Sequence, residues 1–340
     1  MEFLYLLEKI RNPVFDFFFS AITLLGDETA FLLISILIFW CVNKRNGYYV
    51  LISGFLGTLV NQAMKLLCKI PRPWIKDSGF TTVGNSQSGA GGFSFPSGHT
   101  QNSVSTFGAI FLFAKQKWLK IACITVAILV PVSRMYLGVH TPRDVLAGAG
   151  CALVILILLE DVFAKDELFT KVMPFILGAL VLGSIGFFIY AELTALPPET
   201  HNTYEGIMSA KRNSRTLLGC SLGVVLVYVL DRFVIKFETK APWYAQVIKF
   251  LLGVGIIFLV KSFADIPLGA VMGDYERIVR YFILVAFAGA VWPLTFPYFA
   301  KMRIPALDRF GHTVAVKLHM ASPEEPEKSG KKNGKKRRKK

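Results

Sequence analysis

Three short clusters in the first half of the chain carry residue types that could act together on a phosphoryl group. The first is Lys65 with Arg72-Pro73, the second Pro96-Ser97-Gly98-His99, the third Ser133-Arg134 followed by His140 and Asp144. Together they hold three cations, a glycine-containing turn, two histidines and a carboxylate. The guanidinium forks of Arg72 and Arg134 match phosphate oxygens in plane, and Lys65 adds a point charge. Pro71 and Pro73 bracket Arg72 and bias it to extended backbone, which fixes its direction. Lys65 lies two helical turns earlier, about 11 Å along a helix, so both cations can converge on one anion. Ser97 can cap a helix that starts at Gly98, turning the first free N–H groups toward an anion, while Gly98 admits close backbone approach. His99 is then placed to donate a proton. His140 and Asp144 are spaced as neighbours on one helical face, with Pro142 suited to the first turn. A carboxylate so placed can accept from one ring nitrogen and leave the other free to attack phosphorus. Taken singly, Lys65 reads as a snorkelling interface lysine and His99 as an interfacial histidine on a capped helix. Their weight comes from company.

The elements that must position these residues are membrane helices. Hydrophobic residues make up 53% of the chain and charged residues 18%, and the apolar residues come in blocks. Spanning a bilayer takes roughly 20 mostly apolar residues, and about nine stretches qualify: 29–43, 48–67, 101–115, 119–138, 143–160, 172–191, 215–232, 245–262 and 279–300. The third is short and polar at its start. A soluble helical protein is excluded, because one core cannot shield so many apolar blocks. The expected fold is all-α: a polytopic bundle with a six-helix core and further C-terminal helices. Residues 1–28 read as an amphipathic segment on the membrane surface, with Phe17–Leu25 partly inserted. Residues 29–171 hold all three clusters, 172–300 add transmembrane helices, and 301–340 form a basic disordered tail. The five cysteines are scattered through apolar spans, which argues against a disulfide framework or a metal site.

Charge sets the orientation. The net charge of +15 is uneven, with a Lys-rich C-terminal run. Alternate connections carry Lys44-Arg45, Lys115/Lys117/Lys120, Lys165/Lys171 and Arg232/Lys236/Lys240. By the positive-inside rule these face the cytoplasm together with the tail, and the three clusters meet on the outer face. The tail is expected to meet anionic lipid headgroups rather than nucleic acid. The Gly/Ser-rich stretch Ser78–Phe95 reads as a flexible lid or substrate-entry loop, with a plain linker as the alternative. Glu192, Glu205, Asp265, Asp274 and Glu276 read as solvated loop charges.

Lys65-x6-Arg72-Pro73, Pro96-Ser97-Gly98-His99 and Ser133-Arg134-x5-His140-x3-Asp144 resemble the three signatures of the type 2 phosphatidic acid phosphatase family, over roughly residues 45–160. That superfamily also contains glucose-6-phosphatase and the vanadium haloperoxidases. The resemblance implies that His140 is a nucleophile forming a phosphohistidine, that Asp144 orients it, and that His99 is the general acid. It implies that Lys65, Arg72, Ser97, Gly98 and Arg134 bind the phosphate, and that neither metal nor cofactor takes part. The cationic site would do what Mg²⁺ does in other phosphoryl transfers. The implied substrate is a phosphorylated membrane lipid: a polyprenyl diphosphate, a phosphatidate, phosphatidylglycerophosphate or a long-chain-base phosphate. A soluble sugar phosphate and a non-catalytic lipid-binding or transport role are the alternatives. The implied setting is a bacterial plasma membrane with the site facing outside, or the endoplasmic reticulum in a eukaryote. The extra helices would shape a lipid groove, form a homodimer contact or bind a second ligand.

Overall fold

The computed structural model describes residues 1–199 and 203–317, and among these every regular element is helical. The chain enters through α1 (Glu2–Lys9) and α2 (Pro13–Thr23). Asn12 starts α2, its side chain accepting from the N–H groups of Val14 and Phe15, with Pro13 at the first position. A 54° bend separates this stretch from α3 (Glu28–Leu37), which continues through a π-helical turn to Val42. α2 leaves Val14 and Phe17 exposed. Its other side is fastened down: Tyr136 donates to Asp16 at 2.7 Å, and Arg11 donates to the carbonyls of Tyr136 and Thr81.

The core that carries the site is α4 (Lys44–Cys68), the short α5 (Pro73–Lys76), α6 (Gly98–Phe113), α7 (Lys117–Tyr136) and α8 (Pro142–Ala164). α6 is the hub and packs on α4, α7 and α8. One face of α8 touches the PSGH turn closely enough to require Gly148, where a Cβ would stand 2.5 Å from the carbonyl oxygen of Ser97. α7 and α8 turn Ile121, Ile128, Leu146 and Ile157 outward, where a soluble protein would place polar residues.

The C-terminal half adds α9 (Asp166–Leu193), α10 (Tyr204–Leu230), α11 (Trp243–Met272), α12 (Glu276–Ala286), α13 (Phe296–Lys301) and α14 (Pro305–Lys317). α10 packs on α12, α9 and α4, and so joins this half to the core. Among the described residues seven helices are long and apolar enough to cross a membrane, or eight with the bent pair counted as one span. The remaining stretch of the nine is α6, whose 16 residues rise about 24 Å against the roughly 30 Å of a hydrocarbon core.

Three expectations need correction. Pro305–Lys317 is helical where the reading placed the start of a disordered tail; residues 318–340 lie outside the described residues. Three of the five acidic residues read as solvated loop charges, Glu192, Asp274 and Glu276, are held by arginines. Glu192 and Asp274 hold Arg215 at 2.7 and 3.0 Å, and Glu276 holds Arg280 at 2.9 Å. The stretch 78–95 is not loose throughout, since Phe80, Ala90 and Phe93 are buried.

Candidate active site

The site lies at one end of the bundle, where the C-terminal ends of α4 and α7 meet the N-terminal ends of α6 and α8. The start of α8 sets its central pair. Thr141 and Asp144 form a capping box: the Thr141 N–H donates to Asp144 Oδ2 at 2.8 Å, and the Asp144 N–H donates to Thr141 Oγ1. Closing that box folds the carboxylate back over residue 140, leaving Asp144 Oδ2 3.6 Å from His140 Nδ1. That distance is an electrostatic contact rather than a hydrogen bond. Both side chains are buried, at 2% and 0% exposure.

The other ring nitrogen, Nε2, lies 2.8 Å from Arg72 Nη1. A guanidinium can only donate, so Nε2 carries its lone pair and the ring proton sits on Nδ1, facing Asp144. Burial holds the imidazole well below the usual histidine range, and the charges of Arg72, Arg134 and Lys65 and neighbouring His99 reinforce the shift. A neutral ring with a free lone pair among three cations has the chemistry to act as a nucleophile toward an anion that those cations hold.

Arg72 is pinned by backbone carbonyls. Its Nη2 donates to Gly91 O at 2.8 Å, its Nε to Gly92 O at 3.1 Å and its Nη1 to Val139 O at 3.0 Å. Lys65 donates to the next carbonyl, Phe93 O. The end of the Gly/Ser-rich stretch is therefore a wall of the site. Arg134 is held by Thr23 Oγ1 at 2.9 Å, while its buried Nε has no partner among the described residues. Ser97 caps α6, and its own N–H donates to Asp144 O at 2.9 Å, which locks the PSGH turn onto α8. The Ser97 hydroxyl accepts from Thr100, so its proton remains to donate. Gly98 and His99 are half-buried beside it. All eight residues singled out from the sequence thus converge at this end of the bundle.

Three further residues belong here that the sequence did not announce. Ser94 donates to Asp144 Oδ2 at 2.6 Å and gives the carboxylate a second anchor. Asn61, one helical turn before Lys65, is 1% exposed, and neither of its amide atoms has a partner among the described residues. It lies against Gly98. Thr23 reaches Arg134 from the N-terminal segment. Neither a local spacing nor a periodic pattern marks any of the three. No three His, Cys, Asp or Glu side chains group as metal ligands among the described residues.

Residues 46–166 match the PAP2 superfamily, and residues 215–303 match the transmembrane extension of PAP2 superfamily phosphatases. The chain is 32% identical over 173 residues to phosphatidylglycerophosphatase B of Bacillus subtilis, covering 48% of this chain and 82% of that protein. It belongs to the PAP2 superfamily. It is also 48% identical over 56 residues to undecaprenyl-diphosphatase of Sulfolobus acidocaldarius, covering 16% of this chain and 27% of that protein. A probable sphingosine-1-phosphate phosphatase of Dictyostelium discoideum shares 28% over 158 residues, 42% of this chain and 37% of that one. No solved structure matches the chain. Membership makes the chain an integral membrane lipid phosphatase, and all three signature clusters fall inside the first matched region. The second matched region runs from within α10 to just past α13, so these helices match the family's transmembrane extension.

Proposed function

We propose that the chain removes the terminal phosphate of a phosphorylated membrane lipid through a phosphohistidine on His140. The observation that carries this reading is the polarity of the His140 ring, with Nε2 on Arg72 and Nδ1 toward Asp144. An incoming phosphoryl group takes up the guanidinium N–H that now meets Nε2. Lys65, Arg72 and Arg134, with the Ser97 hydroxyl and the N–H groups at Gly98 and His99, neutralise and orient its oxygens. Nε2 attacks phosphorus while the bond to the lipid oxygen breaks. That oxygen takes a proton from His99, whose charged form the bound phosphate favours. Asp144, steadied by Ser94 and the Thr141 N–H, stabilises the Nδ1–H as positive charge develops on the ring. Water then attacks the phosphohistidine, gives its proton to His99, and leaves inorganic phosphate and a neutral Nε2.

The named relatives act on phosphatidylglycerophosphate, undecaprenyl diphosphate and sphingosine-1-phosphate, which share a terminal phosphate on a long apolar body. We assign this chain the same class of substrate. The deciding experiment offers the purified protein a panel of phosphorylated lipids and sugar phosphates and measures phosphate release in the presence of EDTA and after its removal. Release from lipids in chelator is expected. Release from sugar phosphates alone, or only on adding a divalent cation, would defeat the proposal.

A further inference from the structure

Along α4, starting at Gln62 about one helical turn before Lys65, lies a cavity of about 230 Å³ bounded by α3, α4, α10, α11 and α12. A second space of about 70 Å³ continues it and shares Leu32, Ile36, Phe55, Val285 and Ala288 as walls. On α4 the walls run from Gln62 through Thr58 and Phe55 to Tyr48. Those fifteen residues rise about 21 Å, roughly two-thirds of a hydrocarbon core about 30 Å thick. The lining is graded. At the upper end stand Glu28, Gln62, Asn213 and Lys261, and the remaining length is almost wholly aliphatic and aromatic. Asn213 donates to Gln62 Oε1 at 3.1 Å across that upper end.

The upper end adjoins the phosphate site. Gln62 lies three residues before Lys65, on the same face of α4, which puts the two side chains about 5–6 Å apart at Cβ. Glu28 is within electrostatic reach of both Lys65 and Lys261. α10 touches both places: Ser209 lies against Gly92, whose carbonyl holds Arg72, and Asn213 one turn on closes the cavity. α10 even packs Gly206 directly under the ring of Phe93, the residue whose carbonyl holds Lys65.

We infer that this cavity holds a single hydrocarbon tail of the phosphorylated substrate, running from Gln62 toward Tyr48 while its phosphate sits among Lys65, Arg72 and His140. This rests on the lipid phosphatase reading above and extends it: the C-terminal helices α10 to α12 are the tail-binding half of the site. A polar rim one helical turn from a cationic pocket, above an apolar shaft, complements an amphiphile with an anionic head and one long chain. A sugar phosphate leaves the shaft unused.

The test uses the full chain in lipid nanodiscs and two variants that fill the shaft from opposite walls, Thr58→Trp and Ala288→Trp. A long-chain phosphomonoester with a mid-chain diazirine is photolysed on each, and the labelled peptides are mapped. Wild type should be labelled on α3, α10 or α12 at shaft residues, and label there should fall at least fivefold in both variants. The ratio of kcat/KM for a long-chain phosphate to that for a short, water-soluble aryl phosphate should fall at least tenfold in the same variants. Label confined to other surfaces, label surviving both fillings, or an unchanged ratio would each refute the shaft. So would equal labelling by a diazirine phosphatidylcholine, which would make the cavity a resting place for bulk lipid. Labelling and turnover are independent readouts. Shaft label without any phosphate release would sink the phosphatase reading and spare the binding site, whereas release without shaft label would do the reverse.

Discussion

At the scale of single residues the site is an arrangement for keeping one imidazole neutral and correctly turned. Arg72 donates to Nε2 at 2.8 Å and so leaves the ring proton on Nδ1, which lies 3.6 Å from Asp144. His140→Ala should abolish turnover, and rapid quenching with labelled substrate should trap an acid-labile, base-stable phosphoenzyme in wild type alone. A labelled phosphoenzyme in the variant would remove His140 from the mechanism. Ser94→Ala takes one hydrogen bond from a buried carboxylate, an interaction worth about 1.5–3 kcal/mol. If the full amount were felt in the transition state, kcat would fall about tenfold to a hundredfold, with KM nearly constant. An unchanged kcat would show that the Thr141 N–H holds Asp144 unaided. The pH profile tests the electrostatics. Burial and neighbouring cations lower the His140 pKa, so the neutral nucleophile persists as pH falls below the ordinary histidine value. Arg72→Gln removes the largest of the charge contributions, though not the burial. The pKa then rises and the acid limb of kcat/KM moves to higher pH, on top of a large loss in rate. The substrate's own second ionisation, near 6, is common to both proteins and cancels in the comparison. Coincident limbs would contradict the assignment of this charge.

At the scale of elements, the motif residues were legible because each cluster sits at a helix start or turn whose local chemistry places it. Ser97 caps α6, and Thr141-Pro142-x-Asp144 builds the first turn of α8. Ser94, Asn61 and Thr23 were not legible, because their partners lie on other segments and no spacing encodes them. The same holds for Arg215, whose partners Glu192 and Asp274 come from different parts of the chain, so that apparent loop charges became ties between helices. α6 looked doubtful as a span because six of its seven residues from Thr100 to Thr106 are polar, and those polar side chains are buried against neighbouring helices rather than turned to lipid. The dependence of the site on how α8 seats the PSGH turn is open to test. At Gly148 an added Cβ would meet the Ser97 carbonyl at 2.5 Å, and backbone cannot swing aside as a side chain can. Gly148→Val should cost at least tenfold in kcat even where the protein is recovered monodisperse. Gly150→Ala, two residues on and facing open space, should leave turnover within about twofold and gain a few tenths of a kcal/mol or more in helix stability. Equal activity in the two variants would mean that the turn tolerates displacement.

At the scale of the whole molecule, the question is which side of the membrane the phosphate site faces. The helices alternate in direction, so the ends that carry Lys44-Arg45, Lys115 to Lys120, Lys165 and Arg232 to Lys240 lie together, opposite the site. Positive charge at the site's end does not compete as loop charge would. Lys65, Arg72 and Arg134 are buried around the phosphate pocket, and Arg215 is paired with Glu192 and Asp274. Lys211 lies 3.8 Å from Glu192, and Arg212 the same distance from Glu205. Lys44, Arg45 and Lys165 are themselves paired, with Asp231, Asp166 and Asp161, so the orientation rests on the Lys and Arg count of those connections and of the C-terminal run, which the positive-inside rule assigns to the cytoplasm. On that rule the phosphate site is expected to face the exterior, or the lumen of an organelle. Two exposed positions report on this: Ser88 in the segment beside the site and Lys117 at the start of α7. In a background with all five native cysteines replaced, Ser88→Cys should react with an impermeant maleimide added to intact cells, and Lys117→Cys only after permeabilisation. If the host membrane is intracellular, sealed microsomes replace the cells and the expected pattern inverts, with Lys117→Cys labelled first. In cells carrying the protein at the plasma membrane, labelling at 117 and not at 88 would place the phosphate chemistry in the cytoplasm. The burial of the site's cations would then have to be explained without reference to membrane charge.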